Sequence, residues 1–170
     1  MNSICVTVPL FKRLKPCFAK SSLKQGGKAF VLTFLSVGFF SEQVHFIKST
    51  THSMPEHYFI HFPHVKPKRG DITLVYNSFY QGNLIKRIIG VEGDKISYDE
   101  HGEVWVGNKR VGTVYPTTRD GRSLKSIQPM IIPKGYVFLY APHPRSFDSR
   151  YVEVGLVHRH QLQGRLLAVA

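Results

Sequence analysis

From residue 71 onward the chain consists of short, β-branched apolar runs cut at close intervals by glycine and proline, a pattern that leaves little room for helices. A period of two dominates over 3.6 in these runs, which is the spacing of strands with one buried face. Strands are expected at Asp71 to Tyr76, Leu84 to Val91, Lys95 to Tyr98, Gly102 to Val106, Arg110 to Val114, Tyr136 to Ala141, Tyr151 to Val157 and Gly164 to Val169. Gly107-Asn108 reads as a hairpin turn between two of them. The expected fold is therefore all-β, mainly antiparallel sheets. A chain of 170 residues with 42% hydrophobic content buries one core, so a single folded domain suffices. Thr117 to Gln128, rich in Arg, Ser and Asp, reads as a solvated loop. No internal repeat or long low-complexity segment is present.

The N-terminus is organised differently. Residues 1–28 carry Lys12, Arg13, Lys15, Lys20, Lys24 and Lys28 and no acid, and the apolar run Ala29 to Phe40 follows. A positive flank ahead of an apolar stretch has the form of a signal sequence or signal anchor, with the first residues held in the cytoplasm. As a helix the run spans only about 18 Å against a hydrocarbon core of ~30 Å. A cleaved signal peptide and a soluble core helix remain open on these residues alone.

The formal net charge of +12 raises the question of nucleic acid. Six of the cations lie in the N-terminal flank, and no helix-turn-helix, zinc finger or single-strand-binding signature follows, so no nucleic-acid partner is expected. The same excess suits an anionic membrane surface. Cys5 and Cys17 both precede the apolar run, on the reducing side of such a topology, and no disulfide is expected. His57, His61 and His64 have helical spacing, but Pro55 and Pro63 bracket most of that stretch and nothing completes a ligand set. Neither a metal nor another cofactor is expected.

Three polar stretches carry the chemistry. Ser53 lies in Lys48-Ser-Thr-Thr-His-Ser-Met-Pro55, and Lys86 in the apolar strand Leu84-Ile-Lys-Arg-Ile-Ile-Gly90. A serine hydroxyl becomes a nucleophile when a base takes its proton, and a lysine serves only when neutral. An exposed lysine titrates near ~10.4, which leaves about one in two thousand neutral at pH 7. Lowering that pKa by about three units costs roughly 4 kcal/mol, which burial among Ile85, Ile88, Ile89 and Val91 supplies. The third stretch, His143-Pro-Arg-Ser-Phe-Asp-Ser-Arg-Tyr151, crowds an acid, two serines and two arginines into one turn. Taken alone it reads as a surface loop with an Asp148–Arg150 ion pair.

In order and approximate spacing the three stretches resemble the boxes of type I signal peptidases, the Ser/Lys leader peptidases. The resemblance runs from about Ser49 to Ala170. It is strongest to the conjugative-transfer branch (the TraF type), because Ser53-Met54-Pro55 has no residue between Met and Pro. Lys68-Arg69-Gly70-Asp71 is similar to that branch's Arg-Gly-Asp strand, and Lys86-Arg87 with Gly90, Gly93 and Asp94 matches the family's lysine box. His57-Tyr58-Phe59 stands where the branch has Gly-Leu-Tyr. Ala141-Pro142 replaces the family's Gly-Asp, and Val152-Glu153-Val154 replaces the aromatic-glycine pair after Arg-Tyr. These changes bear on the shape of the substrate pocket and remove no proton-transfer group.

The resemblance implies a membrane-anchored serine endopeptidase with Ser53 as nucleophile and Lys86 as general base. It implies that Ser146 orients the lysine amine and that Asp148 and Arg150 form a structural ion pair, with Arg87 supporting the site. The oxyanion hole would use the Ser53 backbone N–H and the Thr51 hydroxyl. It further implies a basic cytoplasmic segment at 1–28, an uncleaved anchor helix at 29–47 and a periplasmic peptidase domain at 48–170, held at the inner membrane. The implied partner is an exported precursor, a conjugative pilin above all, released by hydrolysis or circularised. A housekeeping leader peptidase is the alternative within the family, and a catalytically silent envelope scaffold the alternative outside it.

Overall fold

The computed structural model of the chain describes residues 6–8 and 44–169, so the expected anchor helix lies outside the described residues apart from its last positions. Twelve strands are described: β1 Val6–Val8, β2 His45–Lys48, β3 Tyr58–Phe62, β4 Ile72–Asn77, β5 Gly82–Val91 and β6 Lys95–Tyr98. The others are β7 Val104–Val106, β8 Lys109–Gly112, β9 Met130–Ile131, β10 Tyr136–Tyr140, β11 Val157–His158 and β12 Leu162–Val169. A single 3-10 turn at Arg159–Gln161 precedes β12. No α-helix occurs among the described residues.

The strands form an eight-stranded sheet in the order β1-β2-β3-β12-β4-β5-β10-β11 and a four-stranded sheet in the order β8-β7-β6-β9. Each described strand pair is antiparallel. The long strand β5 ties the halves together. Ile85 joins a cluster with Ile47, Met54, Phe59, Leu74 and Leu166, whereas Ile89 joins Ile96, Val104, Val106, Ile132 and Phe138 between the two sheets. Leu84 and Ile88 pack into a third cluster with Val75, Val137, Leu139 and Val157. This near-continuous burial explains why β5 reads as an apolar run rather than a clean alternation.

Gly90 marks the point of tightest contact between the sheets. A methyl group there would lie 2.7 Å from Ile132 Cδ1 and from Val106 Cγ1 and 2.8 Å from Phe138 Cβ. Gly90→Ala is therefore expected to lower stability by about 1–3 kcal/mol through overpacking, read as a lower urea midpoint at unchanged slope. Gly107 has φ +56 in the link between β7 and β8, the backbone that the predicted Gly-Asn turn needs.

Two expectations are corrected. Tyr151 to Val157 is not a strand: Tyr151 makes one bridge to Ser126, and the chain then turns, with Val154 N–H and Gly155 N–H both donating to Tyr151 O. Thr117 to Gln128 is not simply solvated, because Ile127 is buried and its N–H donates to Arg150 O. The strand pattern also missed β1, β2, β3 and β9. The large sheet already includes His45, inside the interval 29–47 read as anchor.

Candidate active site

Lys86 sits at mid-length of β5, opposite Thr73 of β4, and its side chain is 3% exposed. Its ammonium donates to Ser146 Oγ at 2.8 Å, across sixty positions of chain. Burial pulls its pKa down from 10.5 to about 8; the charge of Asp148 opposes that shift and the charge of Arg150 adds to it. The group is thus within reach of a neutral amine near physiological pH.

The loop that brings Ser146 to Lys86 is held by Arg150 and Asp148, 1% and 0% exposed. The guanidinium grips the carboxylate at two points, Nε to Oδ1 at 2.9 Å and Nη2 to Oδ2 at 3.0 Å. Its remaining donors reach the carbonyls of Thr113, Pro144, His143 and Ser146. Asp148 in turn accepts from the backbone N–H groups of Ala141 and Arg150. A planar fork of five donors is suited to this task, and an ammonium could not perform it. Burial by itself would lower the arginine's pKa, but the bonded carboxylate outweighs it and the pKa is raised. A surface loop in sequence is thereby a buried, fully bonded network in the fold.

Ser53 lies in the turn that joins β2 to β3. Ser49 N–H donates to His57 O at 2.7 Å and closes the turn, while Ser49 Oγ donates to Thr51 O. Met54, 1% exposed, pins the turn into the core. Ser53 is half-buried, and its hydroxyl shares a hydrogen bond with Thr51 Oγ1 at 3.1 Å. The backbone carbonyl of Ser53 accepts from His143 N–H at 3.4 Å, and His143 O accepts from Ser146 N–H at 2.9 Å. One residue therefore links the serine turn to the loop beside the lysine.

The structure brings Lys86, Ser146, Asp148 and Arg150 into one bonded group, and Ser53 and Thr51 into a second. Lys86 Nζ bonds Ser146 Oγ and makes no hydrogen bond to Ser53 Oγ. Arg87 turns elsewhere, to Gly70 O at 2.8 Å and towards Glu56 at 4.0 Å. Sequence reasoning gave no role to His143 or Glu56. One histidine among nine and one glutamate beside a proline send no local signal, and their positions emerge only when distant segments meet. Burial, together with the charges of Arg119, His52, Lys86 and Arg150, lowers the His143 pKa. Among the described residues no group of three or more His, Cys, Asp or Glu is placed to hold a metal ion. An open cleft of about 660 Å³, lined by Arg69, Arg87, Asp94, Lys95 and Lys109, includes neither Ser53 nor Lys86.

Comparison with known proteins places the same segments in a family context. Residues 20–170 match the family model described as signal peptidase, peptidase S26. Among solved structures the chain is similar to a signal peptidase I from Enterococcus faecalis V583, at 24% identity and a TM-score of 0.42, over 60% of this chain and 97% of that one. No curated protein sequence matches the chain.

Proposed function

This chain belongs to the signal peptidase family, peptidase S26, and from that premise we propose that Ser53 and Lys86 are its nucleophile and general base in maturing a conjugative pilin precursor. The observation that carries the reading is the buried amine of Lys86, pulled to about 8 and held at 2.8 Å from Ser146 Oγ. Ser53 Oγ attacks the peptide carbonyl after a small residue while Lys86 Nζ accepts its proton. The lysine then returns that proton to the leaving amine, and an acyl-enzyme remains on Ser53. Attack by water releases the product; attack by an amine of the same chain closes a ring instead. The oxyanion is met by Ser53 N–H and by the Thr51 hydroxyl, which rests 3.1 Å from Ser53 Oγ. Donors of this kind are each worth about 10²–10³ in rate. Catalytic hydrogen bonds are commonly long before substrate binds and shorten in the Michaelis complex, which accommodates the unmade Ser53–Lys86 bond.

The pilin substrate rests on Ser53-Met54-Pro55, the compact serine box of the conjugative branch. Membrane attachment is also proposed, with 1–28 in the cytoplasm, a crossing that starts at 29 and ends before β2 opens at His45, and the peptidase domain in the periplasm. One outer face supports a membrane-side position. Phe46, Ile60 and Leu167 stand directly opposite one another across β2, β3 and β12, as do Lys48, Tyr58 and Val169. Phe46, Tyr58, Leu167 and Val169 are exposed, and the Lys48 ammonium lies 5.7 Å over the Tyr58 ring. No helix among the described residues is long and apolar enough to cross a membrane. A crossing between residue 29 and β2 and the β1–β2 pairing exclude one another, because paired strands share one side. Protease treatment of spheroplasts carrying an N-terminal tag separates them: a protected tag supports the crossing, and a digested one the pairing.

The substrate is tested by intact mass of the candidate pilin precursor in cells expressing wild type or Ser53→Ala. Shortening by wild type alone supports the reading, and a further loss of one water identifies cyclisation. Unaltered pilin alongside trimmed secreted proteins points to the housekeeping alternative. Equal maturation with Ser53→Ala sinks the nucleophile and favours the scaffold.

A further inference from the structure

The serine turn and the lysine strand touch through the neighbours of the two proposed catalytic residues. Met54, one residue after Ser53, shares a buried cluster with Ile85, one residue before Lys86. Glu56, three residues after Ser53, faces Arg87, one residue after Lys86, with Oε1 at 4.0 Å from Nη2. The other carboxylate oxygen, Glu56 Oε2, is buried and accepts no hydrogen bond, alone in this among the buried side-chain polar atoms of the described residues. Such an oxygen has lost water without gaining a donor, an unfavourable state that a modest approach of the guanidinium would relieve. Arg87 is already anchored, because its Nη1 donates to Gly70 O at 2.8 Å and leaves Nη2 directed at Glu56.

We propose that Glu56 is a positioning residue which, paired with Arg87, draws the Ser53 turn onto β5 and so sets the separation between Ser53 and Lys86. The inference rests on the Ser53/Lys86 reading above. The two side chains are 29% and 38% exposed, so their attraction adds little to global stability. Their influence is on geometry, and a misplacement of about 1 Å at reacting atoms costs up to about 10²-fold in rate. Met54 holds the turn to β5 through apolar contact, which has no direction; the Glu56–Arg87 pair supplies the directional tether.

The test uses the full chain in detergent and an internally quenched peptide with a small-residue leader cleavage site, selected first for turnover by wild type. For Glu56→Gln the expected result is a kcat lowered by about 10- to 100-fold, a KM within about twofold, and a Tm within about 4 °C of wild type. The acidic limb of its pH profile stays in place, because Lys86 keeps its burial and its charged neighbours. Exchanging the charges, Glu56→Arg with Arg87→Glu, is expected to recover at least tenfold over either single variant. A kcat within twofold of wild type for Glu56→Gln, a loss that follows a matching fall in Tm, or an exchange pair no better than its singles overturns the proposal. Ser53→Ala and Lys86→Ala, run on the same peptide, separate the two claims. If either turns over normally, the dyad reading itself is wrong; if both are silent while Glu56→Gln is normal, only the clamp is.

Discussion

Lys86→Met is expected to abolish peptide cleavage and, near neutral pH, to make the folded protein more stable. Loss of a catalytic base from a nucleophile–base unit typically lowers turnover by about 10⁴ or more, and, if Ser53 and Lys86 form the proposed unit, adding Ser53→Ala to it should cost little further. The stability gain has a separate origin. The amine is 3% exposed and its pKa falls from 10.5 to about 8 on folding. Below pH 8 both folded and unfolded chains hold the proton, and the folded chain holds it at a disadvantage of about 3 kcal/mol. Between the two pKa values the unfolded chain binds more protons, so wild-type stability rises with pH across that window. Lys86→Met removes the penalty but leaves Ser146 Oγ without its donor, an offset of about 1 kcal/mol. Urea unfolding at pH 6, 8 and 10 should therefore find the variant more stable at pH 6, with the difference shrinking towards pH 10. A difference independent of pH would mean that the amine is not desolvated. In wild type the same titration should appear in kcat/KM as an acidic limb, with activity at pH 7 about a tenth of the plateau reached above pH 8.

Arg150→Met should have the largest effect on folding. It strands the Asp148 carboxylate at 0% exposure and releases the carbonyls of Thr113, His143, Pro144 and Ser146. Breaking a buried ion pair from one side costs about 3–5 kcal/mol, or a fall in Tm of roughly 10 °C for a chain of this size. The double variant Asp148→Leu with Arg150→Met should regain part of that loss, because it removes the uncompensated charge. Asp148→Asn keeps the shape and changes the field. Asp148 raises the lysine pKa and Arg150 lowers it, so Asp148→Asn should move the acidic limb of kcat/KM to lower pH and Arg150→Met to higher pH. Limbs that move in the same direction would remove this pair from the control of Lys86, and an Arg150→Met Tm within about 2 °C of wild type would contradict its role in holding the loop.

The legible parts of the fold were those governed by nearest neighbours. β4, β5, β6 and β10 follow from alternating or continuous β-branched runs, and the link at Gly107 from a residue that tolerates positive φ. β2 and β3 escaped because they flank a polar turn of Ser, Thr, His and Pro and abut a segment whose hydropathy suggested a membrane anchor. Tyr151 to Val157 has the apolar spacing of a strand, yet turns back because its neighbour Arg150 is committed to the loop network and Tyr151 O takes two donors. Phe147 shows the same dependence on distant partners. In sequence it is one aromatic within a polar stretch, while in the fold its ring stacks on Phe79, Tyr80 and Tyr151 and braces the loop between Ser146 and Asp148.

The candidates for the reactive groups and the strand character of much of the chain were legible in sequence alone. Backbone sterics and side-chain chemistry act over a few residues, and Ser53, Lys86, Ser146, Asp148 and Arg150 stand out in short motifs. Only the tertiary structure decided that Lys86 is dry, that Arg150 spends its donors on four carbonyls as well as a carboxylate, and that Glu56 meets Arg87. Desolvation and charge coupling depend on all the atoms around a group, and those arrive from strands far apart in the chain.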